Sequence, residues 1–521
     1  MRHIDRPSPH GLDHVPKDAL HSVEAALEVG ETVLKKRGIC SHDLDSAQRR
    51  NKGGAPPVRW EGHPPWWGWR AIATTRRLSS THISRSWQCA SIFAHMTRDC
   101  VLSRPAYRRL AAALATSVVI ACGPSPRWYK GNLHTHSYWS DGDQFPEVIL
   151  KRYKDRGYDF VALSDHNVLA DSERWVTVDA IPNGERSLAE YLDAFGPDWV
   201  EQRQDDSGRT QVRLKRFEEY VSSVAEPGKF LVLQSEEISD QFESRPLHVN
   251  ATNIAELIPP QGGASVADVL QHDIDAVNEQ RRATARPMFP HVNHPNYGWA
   301  VTAEDLMDLH GDRFLEVYNG HPLVRNTGDS LHPSVDRIWD IVLTHRLTHG
   351  LGVVYGMAVD DAHNYEQVDS TRANPARGWV MVRSRDLTAD AIIDAMEAGN
   401  FYASTGVVLD DVRSSAEQLA LRIHGEDGVS YVTQFIGTRV GFDTTEQVLP
   451  DVEGLPVTHR YSADIGTVLA EVSGLNPTYA FTGDEIYVRA RVRSSKPVEN
   501  PVHAGEVQMA WVQPVVRRDN E

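Results

Sequence analysis

Between residue 127 and about residue 406, short apolar runs alternate with amphipathic stretches. Runs rich in Val, Ile, Leu and Phe predict strands at 130–135, 160–164, 230–236, 247–251, 288–292, 314–318, 351–357 and 379–382. Apolar residues at helical spacing predict helices between them at 145–156, 216–225, 265–282, 302–309, 335–348 and 388–398. The last opens on Thr388 with Asp390 in its first turn, a capped start. Alternation of this kind predicts an α/β architecture, either a barrel or a doubly wound sheet. After Val407 the helical period nearly vanishes. "YVTQFIGTRVGF", "YAFTGDEIYVRARVRS" and "EVQMAWVQPVV" alternate apolar and polar residues between Gly, Pro and Asn. That predicts a small antiparallel, sandwich-like β domain over 407–521.

The first 95 residues carry no sustained period of either kind, apart from one weak helical pattern at 18–36. Next comes Met96, a basic flank of Arg104, Arg108 and Arg109, and an apolar segment over 110–121. Val119-Ile120-Ala121-Cys122 then fits a lipoprotein box, and the order of these parts is that of a secretory signal. The segment falls well short of the ~20 residues a spanning helix needs. A signal must stand at the N-terminus to be read, so translation is expected to begin at Met96. Residues 1–95 are then a spurious or disordered extension, and 96–122 a signal peptide with Cys122 as the lipidation site. The expected location is outside the cytoplasm, periplasmic or anchored at the outer membrane of a bacterium, touching membrane only through that lipid. The competing reading makes 110–121 an ordinary buried helix.

Composition narrows the chemistry. The chain has 521 residues, 40% hydrophobic and 24% charged, enough apolar matter for a packed core. The formal charge is −17, and residues 122–521 alone carry −25. So acidic a body repels phosphate backbones, which argues against nucleic acid as a partner. The four cysteines are Cys40, Cys89, Cys100 and Cys122. Beyond them neither a disulfide framework nor a thiolate site is possible, so any metal must rest on His, Asp and Glu.

Those residue types gather at the C-terminal ends of the predicted strands. "KGNLHTHSYWSDG" supplies His134, His136 and Asp141, the two histidines spaced to share one face of a strand. "VALSDHN" supplies Asp165 and His166, and "FLVLQSEEISD" supplies Glu236 and Glu237. "RPLHVNATN" adds His248, "PMFPHVNHP" adds His291 and His294, and "GMAVDDAHN" adds Asp360, Asp361 and His363. Singly, each is as well read as a loop hydrogen bond or a satisfied core histidine. Together, at successive strand ends, they describe a multinuclear site for borderline metals such as Zn, Mn or Fe.

"HTHSYWSD", "LSDHN", "SEEIS" with a histidine eleven residues on, "NHP" and "DDAH" resemble, in order and spacing, the motifs of the polymerase-and-histidinol-phosphatase (PHP) metallohydrolases. The resemblance covers 127–406 and implies a distorted (β/α)7 barrel with two or three metals at its C-terminal rim. It implies nine ligands: His134, His136, Asp141, His166, Glu237, His248, His294, Asp361 and His363. One metal would take His134, His136, Glu237 and Asp361. Glu237 would bridge to a second on His248 and His294, and Asp141, His166 and His363 would hold a third. The eleven-residue step to His248 favours Glu237 over Glu236, and the Asp-x-His spacing favours Asp361 over Asp360. "WYKGNLHTHS" with "FPEVILKRYKDRGYDFVALSDHN" is most similar to the secreted branch that includes carbaryl-hydrolase-like enzymes. The long separation of His166 from Glu237 predicts an inserted lid or pocket wall.

The expected activity is metal-dependent hydrolysis, foremost of a small phosphorylated molecule by a metal-bridging hydroxide. His291 and His321 are candidates to protonate the leaving group, and Asp165 to orient His166 or a neighbouring ligand. Two alternatives remain: a carbamate, amide or ester hydrolase using the same site, and a non-catalytic envelope protein that binds metal or glycan.

Overall fold

The computed structural model describes residues 125–450 and 456–516. The expected extension over 1–95 and the signal segment with Cys122 lie outside the described residues.

The chain opens with β1 (Arg127–Asn132), α1 (Pro146–Asp155) and β2 (Phe160–Leu163). A small unit follows, made of β3 (Arg174–Thr177), α2 (Gly184–Phe195), β4 (Gln202–Gln204) and β5 (Thr210–Leu214). Then come α3 (Phe217–Val224), β6 (Leu231–Phe242), β7 (Arg245–Thr252), α4 (Val266–Thr284), β8 (Phe289–Val292), α5 (Ala303–Met307) and β9 (Phe314–Asn319). The α/β part ends with α6 (Val335–Thr348), β10 (Tyr355–Val359), β11 (Trp379–Ser384), α7 (Ala389–Glu397) and β12 (Phe401–Ser404). Helix starts are fixed locally. Pro146 begins α1, and the side-chain oxygens of Ser265, Ser334 and Thr388 accept the backbone N–H groups of Asp268, Arg337 and Ala391.

Every predicted strand and helix of the α/β part has its counterpart within a few residues. Two differences matter. The segment between His166 and Glu237 carries its own three-stranded antiparallel sheet, ordered β3-β5-β4. Its core of Val176, Tyr191, Val212 and Leu214 packs on Tyr138, Trp139 and Phe145, beside the first histidine motif. The strand expected to stop at residue 236 instead runs to Phe242 and returns as β7. "ISDQF" and "RPLHV" pair across this hairpin, Ser239 opposite His248, so Glu237 and His248 sit within strands rather than at their ends.

One thirteen-stranded sheet runs through the molecule, ordered β10-β9-β8-β7-β6-β2-β1-β11-β12 in the α/β part and continuing beyond β12 into four C-terminal strands. Pairing is parallel from β1 to β2 to β6 and from β8 to β9 to β10, with β7 antiparallel between the two groups. Strands sharing a direction carry their C-terminal ends to a common side. There the segments that follow β1 and β10 meet: Thr135 bridges Ala362, and the Asp361 and His136 N–H groups donate to His134 O at 3.0 Å and Ala362 O at 2.9 Å. Beneath lies a core of Leu133, Phe160, Leu233, Phe289, Phe314, Met357 and Val359. Gly131 lets β1 approach Phe160, since a Cβ there would fall 2.1 Å from the ring.

The C-terminal strands are β13 (Leu409–Ser414), β14 (Gln418–Ile423), β15 (Tyr431–Arg439), β16 (Glu446–Pro450), β17 (Pro456–Tyr461), β18 (Thr467–Ser473), β19 (Thr478–Ala480), β20 (Glu485–Pro497) and β21 (Val507–Val516). They are antiparallel throughout, and β13-β14-β19 shares a core with the large sheet through Leu419, Leu421, Phe435, Val488 and Val512. Their main sheet continues the central one, Ala403 of β12 pairing with Trp511 of β21. Helix α6 lies against these strands through a buried ion pair. Asp340 accepts from Arg489 Nε and Nη2 at 2.7 Å each and from the Tyr487 hydroxyl at 2.7 Å.

Candidate metal centre

The nine side chains implied as ligands converge at the common C-terminal side of the strands. His134 and His136 extend β1, and two residues apart they face the same way. Their Nε2 atoms, with Glu237 Oε2 and Asp361 Oδ1, form one set. His134 Nε2 stands 3.3 Å from each oxygen and His136 Nε2 3.2 Å from each. Metal–ligand bonds of about 2.0–2.1 Å in a tetrahedron give edges of about 3.3–3.4 Å, so the spacing suits one ion at the middle. Three of these four atoms, His134 Nε2, His136 Nε2 and Glu237 Oε2, are buried and have no hydrogen-bond partner. Buried polar atoms are costly unless satisfied. A cation at their focus satisfies all three.

The other Glu237 oxygen begins a second set. Oε1 lies 2.8 Å from His248 Nδ1 and 3.3 Å from His294 Nε2, and accepts from Asn293 Nδ2 at 2.7 Å. A third set forms at the open side, where Asp141 is 57% exposed in its side chain. Its oxygens stand 3.3 Å from His363 Nε2 and 3.6 Å from His166 Nε2, with His136 Nδ1 at 3.8 Å. The rings of His166 and His363 both stack on that of His136, at 4.4 and 4.0 Å. Asp361 takes a left-handed φ of 49°, a conformation Asp tolerates.

The field of the cluster asks for positive charge. Burial opposes protonation of His134, yet Asp361, Glu237 and Glu316 outweigh it and hold its pKa well above the usual value. Burial would raise Glu237, but His134, His166 and His248 hold it well below the carboxylate range. His166 is lifted to about 9, Glu237 and Asp141 overcoming its burial. Ionised carboxylates that draw protons onto neighbouring imidazoles would be served equally by divalent ions.

Alternation along β6 separates the two glutamates. Glu237 faces the cluster, whereas Glu236 points to the other side and accepts the Ile258 N–H at 2.6 Å. Asp360 likewise turns from the site and clamps backbone, accepting the N–H groups of Ala376, Arg377 and Gly378 at 2.7–2.8 Å. Asp165 does not touch His166. It takes Ser137 N–H and Oγ–H at 2.7 and 2.8 Å and Ser140 Oγ–H at 2.7 Å, pinning the turn that follows His136. His166 is oriented by Ser239 Oγ at 2.6 Å instead.

His291 is fully buried, its Nε2 3.2 Å from Glu316 Oε1, so it stands behind His134 rather than at the open side. His321 lies beside the cluster, its ring 5.5 Å from His363 and 6.0 Å from Tyr297. Burial pushes its pKa down to about 4, so the ring is neutral at pH 7. Its Nδ1 accepts the Leu323 N–H at 3.2 Å, which leaves the ring proton on Nε2.

Sequence reasoning missed Glu316. This buried carboxylate holds His134 Nδ1 at 2.6 Å and accepts the His294 N–H at 2.8 Å and Asn319 Nδ2 at 2.9 Å. Asn319 Nδ2 also reaches Asp361 Oδ2 at 3.1 Å. One acid thus fixes two histidines of the cluster, with its neighbour fixing the aspartate. The available signal was a lone charge inside the apolar run "FLEVY".

No family model and no curated relative matches this chain. Among solved structures, a two-domain protein of Bacteroides vulgatus, containing a predicted PHP-like metal-dependent phosphoesterase, is 14% identical with a TM-score of 0.32. The match covers 75% of this chain and 97% of that one. A protein of Bifidobacterium adolescentis proposed to be a metal-dependent phosphoesterase is 14% identical, TM-score 0.25, over 52% of this chain and 97% of the other. An amidohydrolase of Chromobacterium violaceum with bound sulfate and no metal is 13% identical, TM-score 0.23, over 45% and 88%.

Proposed function

We propose that this chain is a metal-dependent hydrolase of the PHP type that acts as a phosphoesterase on a small phosphorylated molecule. In this reading β1, β2 and β6 to β10 form the distorted seven-stranded barrel, and residues 127–406 are the catalytic portion. The observation that carries it is the group of buried, partnerless atoms, His134 Nε2, His136 Nε2 and Glu237 Oε2, gathered with Asp361 Oδ1 around one point.

Divalent ions on the nine ligands would supply a water activated near neutral pH and positive charge for a substrate oxyanion. The protein's own groups do the rest. Glu316 keeps the His134 proton on Nδ1, so that Nε2 presents its lone pair to the cluster. Glu237 serves two sets at once, one oxygen to each. The half-exposed Asp141 marks the side from which substrate enters, and the buried wall of His134, His136 and Glu237 keeps bulk water from the far side. His321, neutral with its proton on Nε2, offers a hydrogen bond to a substrate or leaving-group oxygen there. Location outside the cytoplasm through a lipid on Cys122 belongs to the same proposal. Cys122→Ser should release the protein from membranes, and retention would refute the anchor.

The test is metal analysis of the native protein, His134→Ala and Asp361→Ala, with turnover of p-nitrophenyl phosphate, bis-p-nitrophenyl phosphate and a naphthyl carbamate in Mn or Zn. Phosphate-ester hydrolysis lost in both variants together with metal is expected. Unchanged metal content would overturn the ligand set, and turnover of the carbamate alone would overturn the phosphoesterase.

A further inference from the structure

A cavity of about 350 Å³ lies between β9, the start of α6 and the strands β20 and β21. That volume falls in the range of sites for small molecules. Val317 and Met509 contribute apolar wall, and the aromatic side is made by Tyr318 and Trp511, whose rings are 5.9 Å apart. Both aromatic residues are more than nine-tenths buried, and neither the Tyr318 hydroxyl nor the Trp511 indole N–H has a partner. A buried indole N–H ordinarily finds one.

The charges around the cavity are unequal. Arg491 is neutralised by Asp336 and held by Gln434. Asp336 also faces Arg489 at 3.0 Å, and Glu506 is occupied with the Val502 N–H at 3.0 Å. Arg493 is exposed and has no acid partner among the described residues. Set beside these acids, the side-chain donors left without a partner are an indole N–H, a phenolic O–H and a guanidinium. We propose that this cavity is a second ligand site, distinct from the metal centre, for a small carboxylate with an apolar body. Arg493 holds the carboxylate at the mouth, Tyr318 and Trp511 donate within, and Val317 and Met509 enclose the body.

One wall residue of the cavity leads by hydrogen bonds to the metal centre. Asn326, in its wall, brackets Asn319 with two hydrogen bonds, accepting its N–H at 3.1 Å and donating to its carbonyl at 2.8 Å. Asn319 in turn donates to Glu316 and Asp361. The occupant thus sits against the shell that orients the ligands, yet binding is read without turnover and stands apart from the hydrolase proposal.

The experiment is calorimetry on the full chain with sodium benzoate. Benzamide serves as its neutral counterpart and inorganic phosphate as an anion without apolar body. Saturable binding of benzoate alone is expected, weakened roughly tenfold by Arg493→Gln, the loss of one charge-assisted contact. Trp511→Phe should weaken it as well, with metal content unchanged in both variants. Arg493 is exposed, so its variant keeps the fold and the test survives if Trp511→Phe does not. No saturable heat with benzoate, equal binding of benzamide, displacement by phosphate, or undiminished binding by Arg493→Gln would each overturn the proposal.

Discussion

Glu316→Gln changes one atom at the centre of the shell, and both orientations of the new amide do harm. With the amide oxygen kept towards His134 Nδ1–H, the NH2 group meets the His294 N–H and the Asn319 NH2, which now donate to Glu316 Oε2 at 2.8 and 2.9 Å. Two donors then face a donor, and each buried group left unsatisfied costs about 1–3 kcal/mol. With the NH2 towards His134, Nδ1 must accept and the ring proton moves to Nε2. That is the atom standing 3.3 Å from the Glu237 and Asp361 oxygens, and a protonated nitrogen cannot ligate. Loss of such a supporting partner typically lowers metal affinity about 10- to 100-fold. Competition with a chromophoric zinc chelator measures this directly, and thermal melting of the metal-free protein separates folding from binding. Metal affinity equal to the native protein's would refute the role given to Glu316.

Three further outcomes are expected. Arg489→Met strands Asp340 in the interior and should cost about 3–5 kcal/mol in urea unfolding; Asp340→Leu added to it should restore most of that, and a single-variant cost below about 1 kcal/mol would contradict the buried pair. Burial pushes the Asp273 carboxyl up to about 7, although the Gln261 N–H it accepts pulls the other way. The folded state then binds the extra proton, so this group's contribution to stability falls as pH rises from about 4 to about 7 and is level above. Asp273→Asn should therefore melt closer to native at pH 5 and relatively higher at pH 8, and parallel pH profiles would contradict it. Gly131→Ala drives a methyl into the Phe160 ring and should destabilise by about 1–3 kcal/mol, with Phe160→Leu compensating. An unchanged melting temperature would refute the close approach.

The α/β part was legible because its strands are continuous apolar runs and its helices keep a helical apolar spacing, and the capped start read at Thr388 is a real one. The cluster was legible because histidines and acids recur where those runs end. Other features carried weak signals. β4 is three polar, exposed residues, and nothing in "QRQ" announces a strand. The extension of β6 is written in "ISDQF", whose alternation reads as turn chemistry until β7 is seen opposite. Glu316 hid because one acid in a buried strand becomes meaningful only when His134, remote in sequence, is brought to it. The join of β12 to β21 is likewise a pairing of distant segments, and no local pattern encodes it.

The unbroken sheet has a practical corollary for anyone trimming or recombining this protein. A cut after Gly406 would strip β12 of its neighbour, leaving a bare row of amides and carbonyls as a template for self-association. The same cut would take away Arg489 and Arg491, turning the acids of α6 into uncompensated charge on a newly wetted apolar surface. The C-terminal strands are not a detachable cassette, and a shortened version made to simplify crystallisation or assay should precipitate rather than report on the rim.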